Sequence, residues 1–247
     1  MLAQKLSHVA LLLTILGIAG SVQAAPPRVV TTGDSHTVRY GSSLLSDSLT
    51  ANGFSAQVLS VSAGACNSRV YVGQETTVYT PVATNFTDGV LASDPDVIVF
   101  QLGTNDAWMG RNASDCYISD ISGVFDIFQG YVNGRGQHPR LIICTALPIM
   151  DYYPEGVVAN ANLDSQYNLW LRDQADDRGI QLLDLNQLIR QQAGWQTWYD
   201  SYGIHIDKDG DHYTWMADEV AQAIIAPEPC MLGLICVGVV ALLKPRR

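Results

Sequence analysis

Arg28-Val29-Val30-Thr31-Thr32-Gly33-Asp34-Ser35-His36 is the stretch from which the rest of the chain is read. Valine and threonine prefer the pleated, buried setting of a strand, and a glycine directly behind them permits a sharp turn into a helix. The run therefore predicts a strand that stops at Gly33 and delivers Ser35 to the carboxyl edge of a sheet, where open α/β sheets bind ligands. Either Asp34 or Ser35 merely caps the helix that follows, or Ser35 is a nucleophile. Its company further along the chain favours the second.

Outward from this stretch, strand-like and helical segments alternate. Ala56 to Val61 is the second predicted strand, and Asp96 to Leu102, reading Asp-Val-Ile-Val-Phe-Gln-Leu, is the third. A continuous apolar run of that kind suits a strand buried on both faces. Leu141 to Ala146 and Gln181 to Leu185 complete the set. Helices are predicted over Gly41 to Ala51, Tyr117 to Asn133, Asn160 to Asp177 and Thr214 to Ile225. In the second of these Ile118, Ile121, Val124, Phe125, Phe128 and Val132 recur at helical spacing. Strands separated by helices predict a parallel sheet covered on both faces. Asn67 to Asp88, polar and rich in Thr and Tyr, is expected to be a long loop.

With 247 residues, 47% of them hydrophobic, the chain has enough material for one domain with a full core. Its ends read as address labels. Residues 1–24 carry a basic Lys5, an apolar run from Val9 to Ala19 and the small-residue site Val22-Gln23-Ala24, the pattern of a secretory signal peptide cleaved after Ala24. Residues 227–247 read Pro227-Glu228-Pro229, then the apolar run Cys230 to Leu243, then Lys244-Pro245-Arg246-Arg247. A helical run of that length covers about 21 Å, short of a hydrocarbon core of about 30 Å. The body, residues 25–226, carries 10 basic and 23 acidic residues. Such a surface repels phosphate backbones and anionic head groups, so nucleic acid is excluded as a partner and a membrane is met only through the tail.

Three further blocks accompany Ser35. Ser62-Ala63-Gly64-Ala65 follows the second strand, Gly103-Thr104-Asn105-Asp106 follows the third, and Asp209-Gly210-Asp211-His212 precedes the last helix. The four blocks in this order resemble the GDSL/SGNH hydrolase family across the whole body. The resemblance implies a flavodoxin-like three-layer α/β/α sandwich on a five-stranded parallel sheet, and a serine esterase. It implies Ser35 as nucleophile, Gly64 and Asn105 at the oxyanion hole, and Asp209 with His212 as the remaining catalytic pair. The second block is loose, so either Gly64 or Ala65 donates its backbone N–H. His36 stands where the family usually has Leu. The tail resembles the PEP-CTERM sorting signal of bacterial surface and exopolysaccharide-associated proteins. That implies export to the periplasm, cell surface or extracellular matrix and sorting machinery, a membrane transpeptidase-like enzyme, acting at Pro-Glu-Pro. A plain C-terminal membrane anchor is the other reading.

The residue types make chemical sense without the family. A serine hydroxyl needs a base within hydrogen-bond reach, and imidazole titrates near the working pH. An Asp three residues before His212 is suited to hold the useful tautomer. The amides of Ser35 and Gly64 and the side chain of Asn105 supply donors for the oxyanion, and Asp106 fixes the loop that aims Asn105. This set calls for no cofactor and no metal. His205, in Gly203-Ile204-His205-Ile206-Asp207, is the rival base; the residue three before it is Tyr202, so its orienting partner must come from elsewhere. His138 precedes the fourth strand, at the wrong edge of the sheet.

Cys66 and Cys116 fall in loops at the same edge and either pair as a disulfide or remain two buried thiols. Cys144, inside an apolar run, behaves as a small hydrophobe. The expected substrate is a small ester or an acylated carbohydrate, acetyl above all. A lipase or thioesterase of the same fold is one alternative. Another is a non-catalytic surface module that binds carbohydrate or calcium. Asp207, Asp209 and Asp211 alternate like the opening of a calcium loop with Asp218 at its close, although its sixth position is His212 rather than Gly. Trp195, Trp198, Tyr199 and Tyr202 form either a sugar platform or ordinary packing.

Overall fold

The computed structural model describes residues 25–207 and 211–226. The expected signal peptide, the sorting tail and Asp209 lie outside the described residues. Five parallel strands form one sheet: β1 (Arg28–Gly33), β2 (Gln57–Ser62), β3 (Val97–Gln101), β4 (Arg140–Cys144) and β5 (Gln181–Leu183), in the order β2-β1-β3-β4-β5. All four pairings are parallel, with Gly33 beside Ser62 on one side and beside Gln101 on the other.

Alternation along the strands divides the interior into two cores. Val30, Ile98, Phe100, Leu141 and Ile143 face one layer, while Val29, Val97, Val99, Ile142 and Cys144 face the other. Successive side chains of a strand point to opposite faces, so a strand apolar throughout must be covered twice. The first face is covered by α3 (Ser68–Tyr71), α4 (Phe86–Ala92), α6 (Tyr117–Gly130), α7 (Pro154–Asn162) and α8 (Asn168–Arg178). The second carries α1 (Ser35–Tyr40), α2 (Ser43–Ala51), α9 (Leu185–Arg190) and α10 (His212–Ile225). A short α5 (Thr104–Trp108) follows β3. This is the three-layer α/β/α sandwich with a flavodoxin-like sheet. Among the described residues no helix is long and apolar enough to cross a membrane.

Two segments differ from the sequence reading. The expected loop Asn67 to Asp88 begins and ends in helices, α3 capped by Asn67 and α4 capped by Asn85. The single helix expected over Asn160 to Asp177 starts earlier, at Pro154, and passes through a π-turn at Leu163–Tyr167 before α8. Proline is favoured in a first helical turn, and the extra residue of the π-turn leaves both Leu163 and Tyr167 on the buried side.

The sheet order fixes where a ligand sits. The chain goes from β1 outward to β2, then crosses to β3 on the other side, so β1 and β3 flank the topological switch point. Ser35 follows β1 and Asn105 follows β3, which puts both at that crevice.

Candidate active site

Gly33 makes the turn that presents Ser35. Its φ is +148°, and a Cβ there would lie 1.8 Å from the Gln101 carbonyl oxygen, so the backbone of β1 can approach β3 only without a side chain. Asp34 caps α1, its Oδ1 accepting from the His36 N–H at 3.0 Å. Ser35 is the first residue of α1, and its own N–H belongs to the unpaired first turn. Asp34 is fully buried, and burial pushes its carboxyl up to about 7, against the opposing effect of the His36 N–H and Thr104.

Ser35 Oγ lies 2.8 Å from His205 Nε2. On the far side of the ring, His205 Nδ1 faces Asp200 Oδ2 at 3.5 Å. Asp200 is held in turn by its own loop: its Oδ1 accepts from the Tyr202 and Gly203 N–H groups at 3.1 and 3.0 Å. The Asp200 N–H donates to the His205 carbonyl at 2.9 Å, and Tyr199 bridges Ile206, so the loop is closed at its base. A carboxylate at Nδ1 fixes the proton there and leaves the Nε2 lone pair for the serine hydroxyl. Burial lowers the imidazole's pKa, Arg39 lowers it further, and Asp200 opposes both.

Among the described residues no hydrogen bond joins Ser35 to His212. His212 opens α10 and lies flat on Trp198, ring centroids 4.2 Å apart with 3° between planes. The structure thus brings Ser35 to His205 rather than to the expected His212. Asp200, the partner that sequence reading looked for three residues before the histidine, stands five before it. A signal for it exists: Asp-Ser-Tyr-Gly has the Asp and Gly at the first and last positions of a type I turn.

The expected oxyanion positions do sit at one edge. The Ala63 N–H donates to the Gly33 carbonyl at 3.2 Å, which sets Gly64 beside the Gly33 turn. Asn105 Nδ2 donates one proton to the Cys66 carbonyl at 2.9 Å and keeps a second. Ser68 gives its N–H and its hydroxyl to Asp106 at 2.9 and 2.7 Å. These bonds staple the loop after β2 to α5, so Gly64 and Asn105 are fixed relative to each other. Burial raises the Asp106 carboxyl to about 6 despite the two Ser68 donors and Arg111.

The expected Cys66–Cys116 disulfide is not made. Both thiols are buried and free, with Cys66 Sγ donating to the Asn67 carbonyl and Cys116 Sγ 3.6 Å from Ser68 Oγ. Burial, with Asp34 and Asp106 adding to it, pushes the Cys66 thiol up, so it stays protonated and behaves as a small hydrophobe. The aromatic platform dissolves as well. Trp195 and Trp198 pack against the second core, Tyr199 is buried, and Tyr202 stays exposed. Asp218 of the supposed calcium loop accepts a hydrogen bond from Ser48 of α2.

The solved structures similar to this one are weakly related in sequence. The lipase/acylhydrolase from Enterococcus faecalis matches with a TM-score of 0.59 at 17% identity, covering 80% of this chain and 95% of that one. A carbohydrate acetylesterase family member from Sinorhizobium meliloti gives 0.57 at 16% identity over 79% and 97%. The inhibitor-bound aryl esterase of M. smegmatis gives 0.56 at 15% identity over 81% and 98%. No curated protein matches the chain. Residues 31–212 match the model of the GDSL-like lipase/acylhydrolase family, from the strand that presents Ser35 to the start of the last helix. The chain therefore belongs to the GDSL-like lipase/acylhydrolase family and is a carboxylic ester hydrolase.

Proposed function

We propose that this protein is an exported serine esterase that removes acyl groups, acetyl above all, from carbohydrate. Ser35 is the nucleophile, His205 the general base and Asp200 the group that orients it. The observation that carries this reading is the 2.8 Å contact between Ser35 Oγ and His205 Nε2. In the reaction Ser35 attacks the ester carbonyl while His205 takes its proton and returns it to the leaving alcohol. Charge then develops on the carbonyl oxygen, where the N–H groups of Ser35 and Gly64 and the free proton of Asn105 Nδ2 are available to donate. Each such donor is worth about 3 kcal/mol in the transition state. Water activated by the same imidazole releases the acyl-enzyme.

The carbohydrate part rests on the acetylesterase among the similar folds and on the tail's likeness to a sorting signal of exopolysaccharide-associated proteins. The signal-peptide pattern in residues 1–24 supports export, and the tail supports handling by sorting machinery at the membrane. A fluorophosphonate probe read by mass spectrometry tests the core of the reading. Modification of Ser35 that is lost in His205→Ala is expected; an unlabelled wild-type protein overturns it. Release of acetate from acetylated oligosaccharides tests the substrate class.

One observation favours a longer acyl group. A cavity of about 350 Å³, mostly apolar, is lined by Trp108, Met109, Gly110, Pro154, Glu155 and Val158. Trp108 ends the short helix that carries Asn105, so the cavity lies one helical turn from that residue. Faster turnover of octanoyl than of acetyl p-nitrophenyl esters establishes this second reading.

A further inference from the structure

His36 replaces the leucine expected after the nucleophile, and it does so in the interior: the side chain is fully buried. Its Nδ1 lies 3.1 Å from Tyr213 Oη. Arg39, one turn further along α1, donates from Nη1 to the same hydroxyl at 3.2 Å and to the Ile206 carbonyl at 3.0 Å. The guanidinium carbon sits 5.3 Å from the centroid of the Tyr213 ring. Arginine has donors and no acceptor, so Tyr213 Oη accepts from Arg39, and the same oxygen shares a hydrogen bond with His36 Nδ1. His36 Nε2 is buried and has no partner at hydrogen-bond distance among the described residues. The backbone of Ile204 nonetheless faces the ring closely enough to favour its charged form.

Ile204 and Ile206 are the two neighbours of His205. We propose that Arg39, Tyr213 and His36 are positioning residues, a hydrogen-bonded cluster that clamps the backbone at Ile206, next to His205, to the helix beginning at Ser35. The inference rests on the reading of His205 as base. Nucleophile and base come from segments 170 residues apart, and the clamp ties the second to the same six-residue helix that starts with the first. The two imidazoles lie 5.5 Å apart, so a charged His36 would oppose formation of the His205 imidazolium. Burial, reinforced by His205 and Arg39, lowers His36 to about 3 and keeps it neutral. The groups facing His205 are Ser35, His36 and Arg39 from α1 and Asp200 from its own loop. Of these, Arg39 lowers its pKa and Asp200 raises it.

The test uses the full chain and the variants Arg39→Met, Arg39→Lys and Tyr213→Phe, with p-nitrophenyl acetate kinetics and an NMR titration of the His205 imidazole. Arg39→Met should lower kcat about 10-fold or more while KM changes by less than about 3-fold, as displacement of a catalytic group does. With the neighbouring cation gone, the His205 titration should move upward. Arg39→Lys should keep the titration in place, because the charge remains, yet lose kcat, because the lysine side chain is shorter and its ammonium ends before the Nη1 position from which both bonds are made. Tyr213→Phe should lower kcat and leave the titration near that of the wild type. An unmoved His205 titration in Arg39→Met, or kcat within about 2-fold of wild type in both Arg39→Met and Tyr213→Phe, overturns the clamp. Absence of a fluorophosphonate adduct on wild-type Ser35 would overturn the esterase reading instead, and the titration reads the Arg39–His205 coupling whether or not the protein turns over.

Discussion

His212 lies face to face on Trp198, 4.2 Å between ring centroids and 3° between planes, and Trp215 meets the same indole edge-on at 5.4 Å. This histidine is a packing residue that pins the start of α10 to the loop bearing Asp200. His212→Ala should therefore keep kcat within about 3-fold and cost about 1 kcal/mol of stability, the usual worth of an aromatic pair beyond its buried area. His205→Ala should lower kcat by about 10³-fold or more with KM little changed. Steady-state kinetics on p-nitrophenyl acetate and thermal melts of both variants check the pair of outcomes; an active His205→Ala beside a dead His212→Ala reverses the assignment.

Asp200→Asn separates orientation from charge. The Asx contacts of Oδ1 with the Tyr202 and Gly203 N–H groups survive in an amide, so the loop should keep its shape. What changes is the group at 3.5 Å from Nδ1, which no longer selects the tautomer or balances the imidazolium. A fall in kcat on the order of 10²- to 10⁴-fold is expected. The sign of the pH effect follows from the causes acting on His205. Burial and Arg39 already hold its pKa below 6.5, and Asp200 is the group that raises it. In the wild type the acid limb of kcat/KM should therefore lie below the ordinary imidazole value, because the base stays neutral at lower pH. In Asp200→Asn the limb should move lower still. A limb that moves up would show that another group titrates there.

The sheet was legible because its signals are local: each strand is a short apolar run, and Gly33 marks the end of the first. The site was legible only in part, for a physical reason. Ser35, Gly64 and Asn105 each sit directly behind a strand, so their place follows from the strand's. The base does not. Asp209-Gly210-Asp211-His212 spells the expected spacing, yet His205 meets Ser35 because an Asx turn at Asp200 and the Tyr199–Ile206 bridge fold residues 200–205 back on themselves. Those closures are local, but the contact they set up reaches back 170 residues to Ser35, and the spacing of the last block does not report it. The two cysteines erred the same way: sharing an edge of the sheet does not bring two thiols into bonding geometry.

Gly33→Ala should be among the most damaging single changes in the chain. The φ of +148° is strained for any side chain, and the new Cβ would meet the Gln101 backbone oxygen at 1.8 Å, where neither strand has room to yield. A loss of about 4 kcal/mol or more is expected. For a domain of this size that is about 10 °C in Tm, with activity falling because Ser35 rides on the displaced turn. Gly53→Ala is the control: its φ is also positive, at +74°, but nothing lies within 4 Å of the added Cβ, so the strain acts without the clash. Circular-dichroism melts should rank Gly33→Ala well below Gly53→Ala; equal melting temperatures would mean that the close approach of β1 to β3 does not hold.

His36→Leu links stability to pH through a single buried ring. In the folded protein His36 is pushed to about 3, chiefly by burial and then by His205 and Arg39, whereas in the unfolded chain it titrates near 6.5. Below that value the unfolded state takes up a proton that the folded state refuses, so the contribution of neutral His36 to stability is present above about 6.5 and is lost as the pH falls toward 3. Asp34 acts in the opposite sense over the range from 3.8 to about 7, since burial favours its protonated form in the fold. Replacing His36 with leucine removes the first contribution and leaves the second. The variant also exchanges an unpartnered buried Nε2 for a methyl group, a change that favours the fold at any pH, against the loss of the Tyr213 hydroxyl's partner. The difference in Tm, variant minus wild type, should therefore grow as the pH is lowered from 7 to 5, while kcat falls because the clamp has lost its last link. A Tm difference that stays constant across that range would mean that His36 titrates alike in the folded and unfolded protein, and one that shrinks would mean that it is protonated in the fold.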